Sequence, residues 1–389
     1  MDRYYRLWAD VDLDAIRSNV KLLQKNLSAA VKTCAVIKAD AYGHGAVQVA
    51  REIDDLVDFY AVATIDEAME LRAAHITTPI LILGFVHESM DELAAENEIR
   101  LPVYHYETAE KISNAAVKAG KTAKIHIKVD TGMSRIGFYP CEESIREILR
   151  IKKLPALEIE GIFTHFANAD DVDESKALIQ LNQFQSFISR LEEEGIQIPV
   201  KHCANSAAAT YIRAADLDMV RLGISIYGLY PSKYIHQINL QPALTLKSHI
   251  VMVKTISAGT AVGYGSSWTA SKDTKIATIP VGYADGYHRT LSNKGYVLIR
   301  GRKCPIVGRV CMDQMMVDLA ESPMAAEGDE VVLIGKSGEE EITMEEIGEL
   351  AGSFNYEFVC GLSRRVPRKY YKNAELIGIK DQFQNYFHC

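Results

Sequence analysis

The chain has no apolar run able to cross a bilayer: the longest, such as Pro79–Val86, stop after about eight residues, where a spanning helix needs roughly 20. Its opening stretch, Met1-Asp2-Arg3-Tyr4-Tyr5-Arg6-Leu7-Trp8, lacks the apolar core of a signal peptide. Seven cysteines (Cys34, Cys141, Cys203, Cys304, Cys311, Cys360 and Cys389) form an odd set without a CxxC pair. Neither a disulfide framework nor a zinc site is expected, and no metal; reduced thiols in the cytoplasm are. No basic block or aromatic-basic interleaving interrupts a net charge of −8, from 43 basic against 51 acidic residues, so nucleic acid and membrane are not expected partners. Internal repeats and low-complexity segments are absent. No GxGxxG follows the first strand-like run, which counts against an open, doubly wound dinucleotide-binding sheet.

What is present is ordinary globular material, 389 residues with 48% hydrophobic and 24% charged, long enough for two domains. Asp12 is a plausible helix cap ahead of Ile16, Val20, Leu23 and Leu27, which recur at helical spacing. From Thr33 short β-like runs alternate with amphipathic helical segments. The runs are Cys34–Ile37, Phe59–Ala63, Ile80–Leu83, Leu101–Tyr104, Ala123–Val129, Glu158–Thr164, Val200–Cys203 and Met219–Ile226. Eight βα units over residues 12–240 predict an α/β fold, a TIM-type (β/α)8 barrel, whose usual size is about 250 residues. Past Tyr230-Pro231 the rhythm stops. Residues 241–389 read as a mostly antiparallel β domain, with Ser248–Ile256 as its first strand and residues 1–11 packing on it.

Barrel chemistry sits at the C-terminal ends of the strands. Here those ends carry Lys38, Lys128 with Asp130, His165, Asn205-Ser206 and Arg221. Lys38 ends an apolar run ahead of Gly43 and Gly45; burial there would give a neutral, nucleophilic amine, while the stretch by itself fits a surface lysine at a strand end better. In Ile125-His126-Ile127-Lys128-Val129-Asp130 the polar residues share one face, predicted to point into the barrel. Arg221 lies in the last strand between apolar neighbours and needs a partner, since it stays protonated. A lone histidine such as His165 is most often a structural hydrogen-bonder, and Asn205-Ser206 is explained equally by a helix cap. In the second domain Ala261-Val262-Gly263-Tyr264-Gly265 sets a tyrosine between glycines at a turn, a presented phenol or an ordinary hairpin tip.

Taken together, the stretches Ala35–Gly45, Lys128–Gly137, Val220–Ile224, Ala261–Gly265 and Arg309-Val310-Cys311-Met312-Asp313 resemble the alanine racemase family over nearly the full length. The resemblance implies pyridoxal 5′-phosphate as cofactor, L-alanine and D-alanine as substrates, a homodimer with shared sites, and supply of D-alanine to peptidoglycan. It makes Lys38 the cofactor-bearing lysine and the base for the D-isomer, and Tyr264, from the second subunit, the base for the L-isomer. Tyr42, Ser206, Gly223, Ile224 and Tyr356 would hold the phosphate. Arg221 would face the ring nitrogen beside His165, and a guanidinium there leaves that nitrogen unprotonated. Arg135 and the Met312 backbone would meet the substrate carboxylate, Tyr283 would line an access channel, and Lys128 and Asp313 would support the site. In this family the residue at position 128 can be carbamylated. Leu222 departs from the proline usual beside the arginine, without removing a functional atom.

Overall fold

The computed structural model describes residues 5–234 and 236–383; residues 1–4, 235 and 384–389, Cys389 among them, lie outside the described part. The chain divides into two compact units, one formed by Arg17–Ala41 with Ala46–Leu240, the other by Met1–Ile16, Tyr42–Gly45 and Gln241–Cys389.

The chain first lays down β1 (Leu7–Asp12), a strand of the second unit, and then the eight strands of the first. These are β2 (Lys32–Val36), β3 (Phe59–Val62), β4 (Ile80–Ile82), β5 (Ile99–Val103), β6 (Ala123–Lys128), β7 (Leu157–Phe163), β8 (Val200–His202) and β9 (Met219–Leu222). They pair in parallel, in the order β8-β7-β6-β5-β4-β3-β2-β9. The ring closes through Asp218 N–H to Lys201 O (3.0 Å) and Arg221 N–H to Ala204 O (3.0 Å). The expected eight-stranded barrel is what the chain forms.

Strands in such a ring are covered on both faces and read as continuous apolar runs. Tyr60-Ala61-Val62 and Ile80-Leu81-Ile82 are buried outright. The helices between them cover the outside with one face each: in Glu142–Ile151, Ile145, Ile148 and Ile151 are buried at a spacing of three.

The second unit is mostly antiparallel, as expected, with an eight-stranded sheet, a three-stranded sheet and a two-stranded hairpin. In the larger sheet β1 pairs antiparallel with Leu244–His249 and parallel with Arg368–Lys372. Asp12 Oδ1 accepts the Ala15 amide (2.9 Å) and so caps the helix Leu13–Gln24. The stretch Ser248–Ile256, read from sequence as one strand, is two. Leu244–His249 belongs to the large sheet, whereas Met252–Ile256 pairs with Thr274–Ile279 in the small one. The backbone changes partners between them, with Ile250 N–H donating to Asp329 O and Val251 N–H to Thr278 O. Period-two alternation persists across such a switch, so the sequence pattern does not show it.

Directly after β2 the chain makes a left-handed turn, with φ of 52°, 54°, 54° and 51° at Ala39, Asp40, Ala41 and Tyr42. Each non-glycine residue held there costs about 1–2 kcal/mol. Gly43 and Gly45 continue at φ 77° and 99°. A Cβ on Gly45 would stand 1.9 Å from the Tyr370 hydroxyl oxygen. Gly45→Ala therefore combines backbone strain with a clash, and we expect a loss of about 2–4 kcal/mol in denaturant unfolding. A midpoint equal to the parent's would show that Tyr370 and the loop yield freely.

Candidate active site

Lys38 sits at the end of β2, half-buried, as the first residue of the left-handed turn. Three hydrogen bonds hold that turn: Ala41 N–H to Ile37 O (2.9 Å), Ala39 N–H to Glu67 Oε1 (2.7 Å) and Ala46 N–H to Asp40 Oδ1 (2.8 Å). Glu67 Oε2 also accepts the Ala63 and Thr64 amides, at 2.7 and 3.3 Å, and belongs to the capping box of the helix Ile65–Ala73. One carboxylate thus ties the start of that helix to the peptide that follows Lys38.

β9 lies beside β2, with Cys34 opposite Arg221. The Arg221 guanidinium is buried over the Phe163 ring, 5.6 Å from its centroid. Its Nη1 meets His202 Nδ1 at 2.9 Å, and its Nη2 donates to Thr164 O (2.9 Å) and Cys203 O (3.1 Å) and reaches His165 Nδ1 at 3.3 Å. Among the described residues no carboxylate pairs with it. Burial, followed by the charges of Arg221, Arg135, Lys128 and Lys38, pushes His165 down to about 3, so its ring is neutral and accepts from the arginine.

Lys128 ends β6. Its ammonium donates to Val129 O (2.6 Å) and lies over the Phe163 ring at 5.4 Å. Burial and then the Arg221 charge lower its pKa to about 8. Asp130 Oδ1 accepts the amides of Gly132 and Ser134 (2.9 and 3.0 Å) and Oδ2 that of Arg135 (3.0 Å). Burial works to raise this carboxyl, but those amides outweigh it and hold it low. The loop so formed carries the exposed Arg135 side chain. On the next wall Ser206 Oγ accepts the Gly223 amide (2.8 Å), ahead of the short helical turn Ile224–Tyr227, and Asn205 Oδ1 caps the helix Ser206–Tyr211 through Ala208 N–H (3.0 Å).

In the second unit the Tyr42 and Tyr356 rings lie 6.1 Å apart, centroid to centroid. Tyr264 stands 70% exposed between Gly263 and Gly265, whose φ are 73° and 70°. Tyr283 N–H donates to Cys311 O (3.0 Å) and Ala284 N–H to Met312 O (3.0 Å), so the turn at Tyr283 and the stretch Arg309–Asp313 are one packed pair. Asp313 pairs with Arg365, which also holds the buried Asp285 (2.7 Å).

Residues 11–231 match the family model for the N-terminal domain of alanine racemase and residues 243–370 that for the C-terminal domain. This chain belongs to the alanine racemase family. It is 47% identical to the alanine racemase of Methanococcus maripaludis over 94% of its own length and 98% of that protein's. With the alanine racemase of Clostridium tetani the identity is 44%, over 96% and 98%. The solved structure of alanine racemase from Clostridium difficile 630 superposes with a TM-score of 0.94 at 43% identity, covering 97% of this chain and 99% of that one. The alanine racemase from Bacillus anthracis, solved with bound L-Ala-P, does so at 0.92 and 37%, over 99% and 100%. As a family member the chain is an isomerase, an amino-acid racemase acting on alanine.

His202, Glu160 and Glu67 touch this machinery and were not singled out from the sequence. The first two lie in strands of mixed composition, Val200-Lys201-His202 and Leu157–Phe163 with Glu158 beside Glu160, where a further polar residue is not conspicuous. For Glu67 the signal is the S/T-x-x-E spacing from Thr64.

A buried cation with a lowered pKa makes stability depend on pH. Below about 8 the folded chain carries the Lys128 charge at a cost; between there and the ordinary 10.5 the unfolded chain binds more protons. Stability should therefore rise with pH across that window, and Lys128→Met should remove the rise in urea titrations. Parallel pH profiles for the two proteins would overturn the buried-cation reading.

Proposed function

We propose that this racemase works with pyridoxal 5′-phosphate at the mouth of the barrel, with Lys38 and Tyr264 as bases on opposite faces of the substrate α-carbon and Tyr264 supplied by a second copy. The observation that carries the cofactor reading is Arg221, a buried cation held by carbonyls and neutral imidazoles, with no carboxylate beside it among the described residues. Such a donor suits a basic ring nitrogen that must not be protonated, because a guanidinium does not release its proton. Ser206, whose Oγ accepts Gly223 N–H and whose own O–H is left to give, would hold the phosphate together with the amide of Ile224. When bound, the group withdraws electrons from the α-carbon and makes its proton removable.

The remaining steps belong to the chain. Lys38, set by the left-handed turn, takes or returns the proton on one face. Tyr264, held out by two glycines, is suited to serve the other face in a neighbouring molecule. Arg135, on the loop wound around Asp130, is placed to bind the substrate carboxylate. His165, kept neutral by its burial, accepts from Arg221 without adding charge. The use of D-alanine in peptidoglycan is proposed on family likeness alone.

Two substitutions test these roles. Lys38→Ala should abolish the visible absorption band of lysine-bound cofactor; a retained band removes the assignment. The equilibrium constant between enantiomers is fixed, so Tyr264→Phe must slow turnover in both directions, by about a hundredfold or more. The direction-specific readout is α-proton exchange in D₂O. Exchange from L-alanine should vanish while D-alanine still exchanges, through Lys38, without inverting. Equal loss from both enantiomers, together with loss of cofactor, would make Tyr264 structural.

A further inference from the structure

A line of buried polar groups runs through the barrel behind Arg221. His202 Nε2 meets His126 Nδ1 at 2.9 Å, and His126 Nε2 meets Glu160 Oε2 at 3.3 Å. Glu160 is clamped by Arg100, whose Nε and Nη2 reach it at 3.0 and 3.3 Å, and by Lys124 (2.9 Å). Both imidazoles are wholly buried. The line therefore joins the N-terminal ends of β5 and β6, where Arg100 and Lys124 sit, to the catalytic end of β9.

Its hydrogens follow from donor counting. Arg221 only donates, so His202 Nδ1 must be an acceptor and its hydrogen lies on Nε2. That N–H points at His126 Nδ1, which must accept, so the His126 hydrogen is also on Nε2 and is given to Glu160. The reverse arrangement would set a His202 N–H against an arginine N–H. A protonated ring at either position breaks the line, since an imidazolium offers no acceptor. Burial holds both rings in the neutral form, whereas the Glu160 carboxyl is kept low despite its burial by His126, Arg100 and Lys124. Space for the His126 ring depends on Gly161, where a Cβ would lie 2.4 Å from Nδ1, at a register shift between β6 and β7.

We propose that Glu160 and His126 are positioning residues for Arg221: they fix the tautomer of His202, and through it the guanidinium that faces the cofactor ring nitrogen. The consequence for catalysis rests on the function proposed above, but the tautomers do not. The arrangement anchors a catalytic cation to a carboxylate through two neutral rings, so that no carboxylate stands close enough to alter what Arg221 presents.

The first test is ring-¹⁵N NMR of the histidine-labelled holoenzyme at neutral pH, with His126 assigned through His126→Asn. Both His126 and His202 should be neutral with hydrogen on Nε2. An Nδ1–H or imidazolium signal from either overturns the proposal. The second test compares His126→Phe, which removes donor and acceptor, with His126→Asn, whose amide offers one of each. The phenylalanine variant should lose about tenfold or more in kcat with KM nearly unchanged and shift the bound cofactor's absorption, and asparagine should restore most of both. Equal behaviour of the two variants, or a change in melting temperature alone, overturns the positioning role. Arg221→Lys separates the two readings. An absorption spectrum unchanged by that substitution defeats the ring-nitrogen assignment, while the NMR result still judges the line itself.

Discussion

A guanidinium buried with no carboxylate beside it among the described residues is the constraint around which the barrel interior is arranged. Arg221 cannot shed its proton, and leaving its N–H groups unmet would cost about 1–3 kcal/mol or more for each. Two backbone carbonyls at strand ends and two imidazoles meet the need. An imidazole can accept from the arginine only while it is neutral, and burial keeps His202 and His165 in that form. The carboxylate that ends the line stands further away, at Glu160, and is itself paired with two cations, Arg100 and Lys124.

The second organising feature is strain placed next to the reactive lysine. Four consecutive residues in the left-handed region would not persist in a free peptide. They persist here because hydrogen bonds accepted by Glu67, Asp40 and Ile37 overdetermine the turn. β2 pairs with β9 so that Cys34 stands opposite Arg221. Strand register and turn together bring Lys38 and the arginine to the same end of adjacent strands, although nearly half of the chain separates them in sequence.

Much of this could be read in advance. Alternating βα rhythm identified the barrel because both-face burial leaves apolar runs, and those survive as a pattern. Lys38, His165 and Arg221 stood out because a polar residue at the end of an apolar run is conspicuous. Glu160 and His202 did not. They occupy strands whose composition is mixed, and what makes them matter is a partner dozens of residues away. The strand break at Ile250-Val251 was hidden for a related reason: a chain can change sheets without changing its alternation.

The sequence by itself determined the barrel, the following β domain, and the kinds of group that the strand ends carry, since these depend on local periodicity and residue chemistry. Only the tertiary structure decided which of those groups meet. The left-handed hand of the Lys38 turn comes from contacts with Glu67 on another βα unit, not from Ala-Asp-Ala-Tyr, whose intrinsic preference is right-handed. The hydrogen positions along Arg221, His202, His126 and Glu160 follow from distances between four strands. A donor is assigned only once its acceptor is known, and acceptors brought together by folding are not written in the order of the chain.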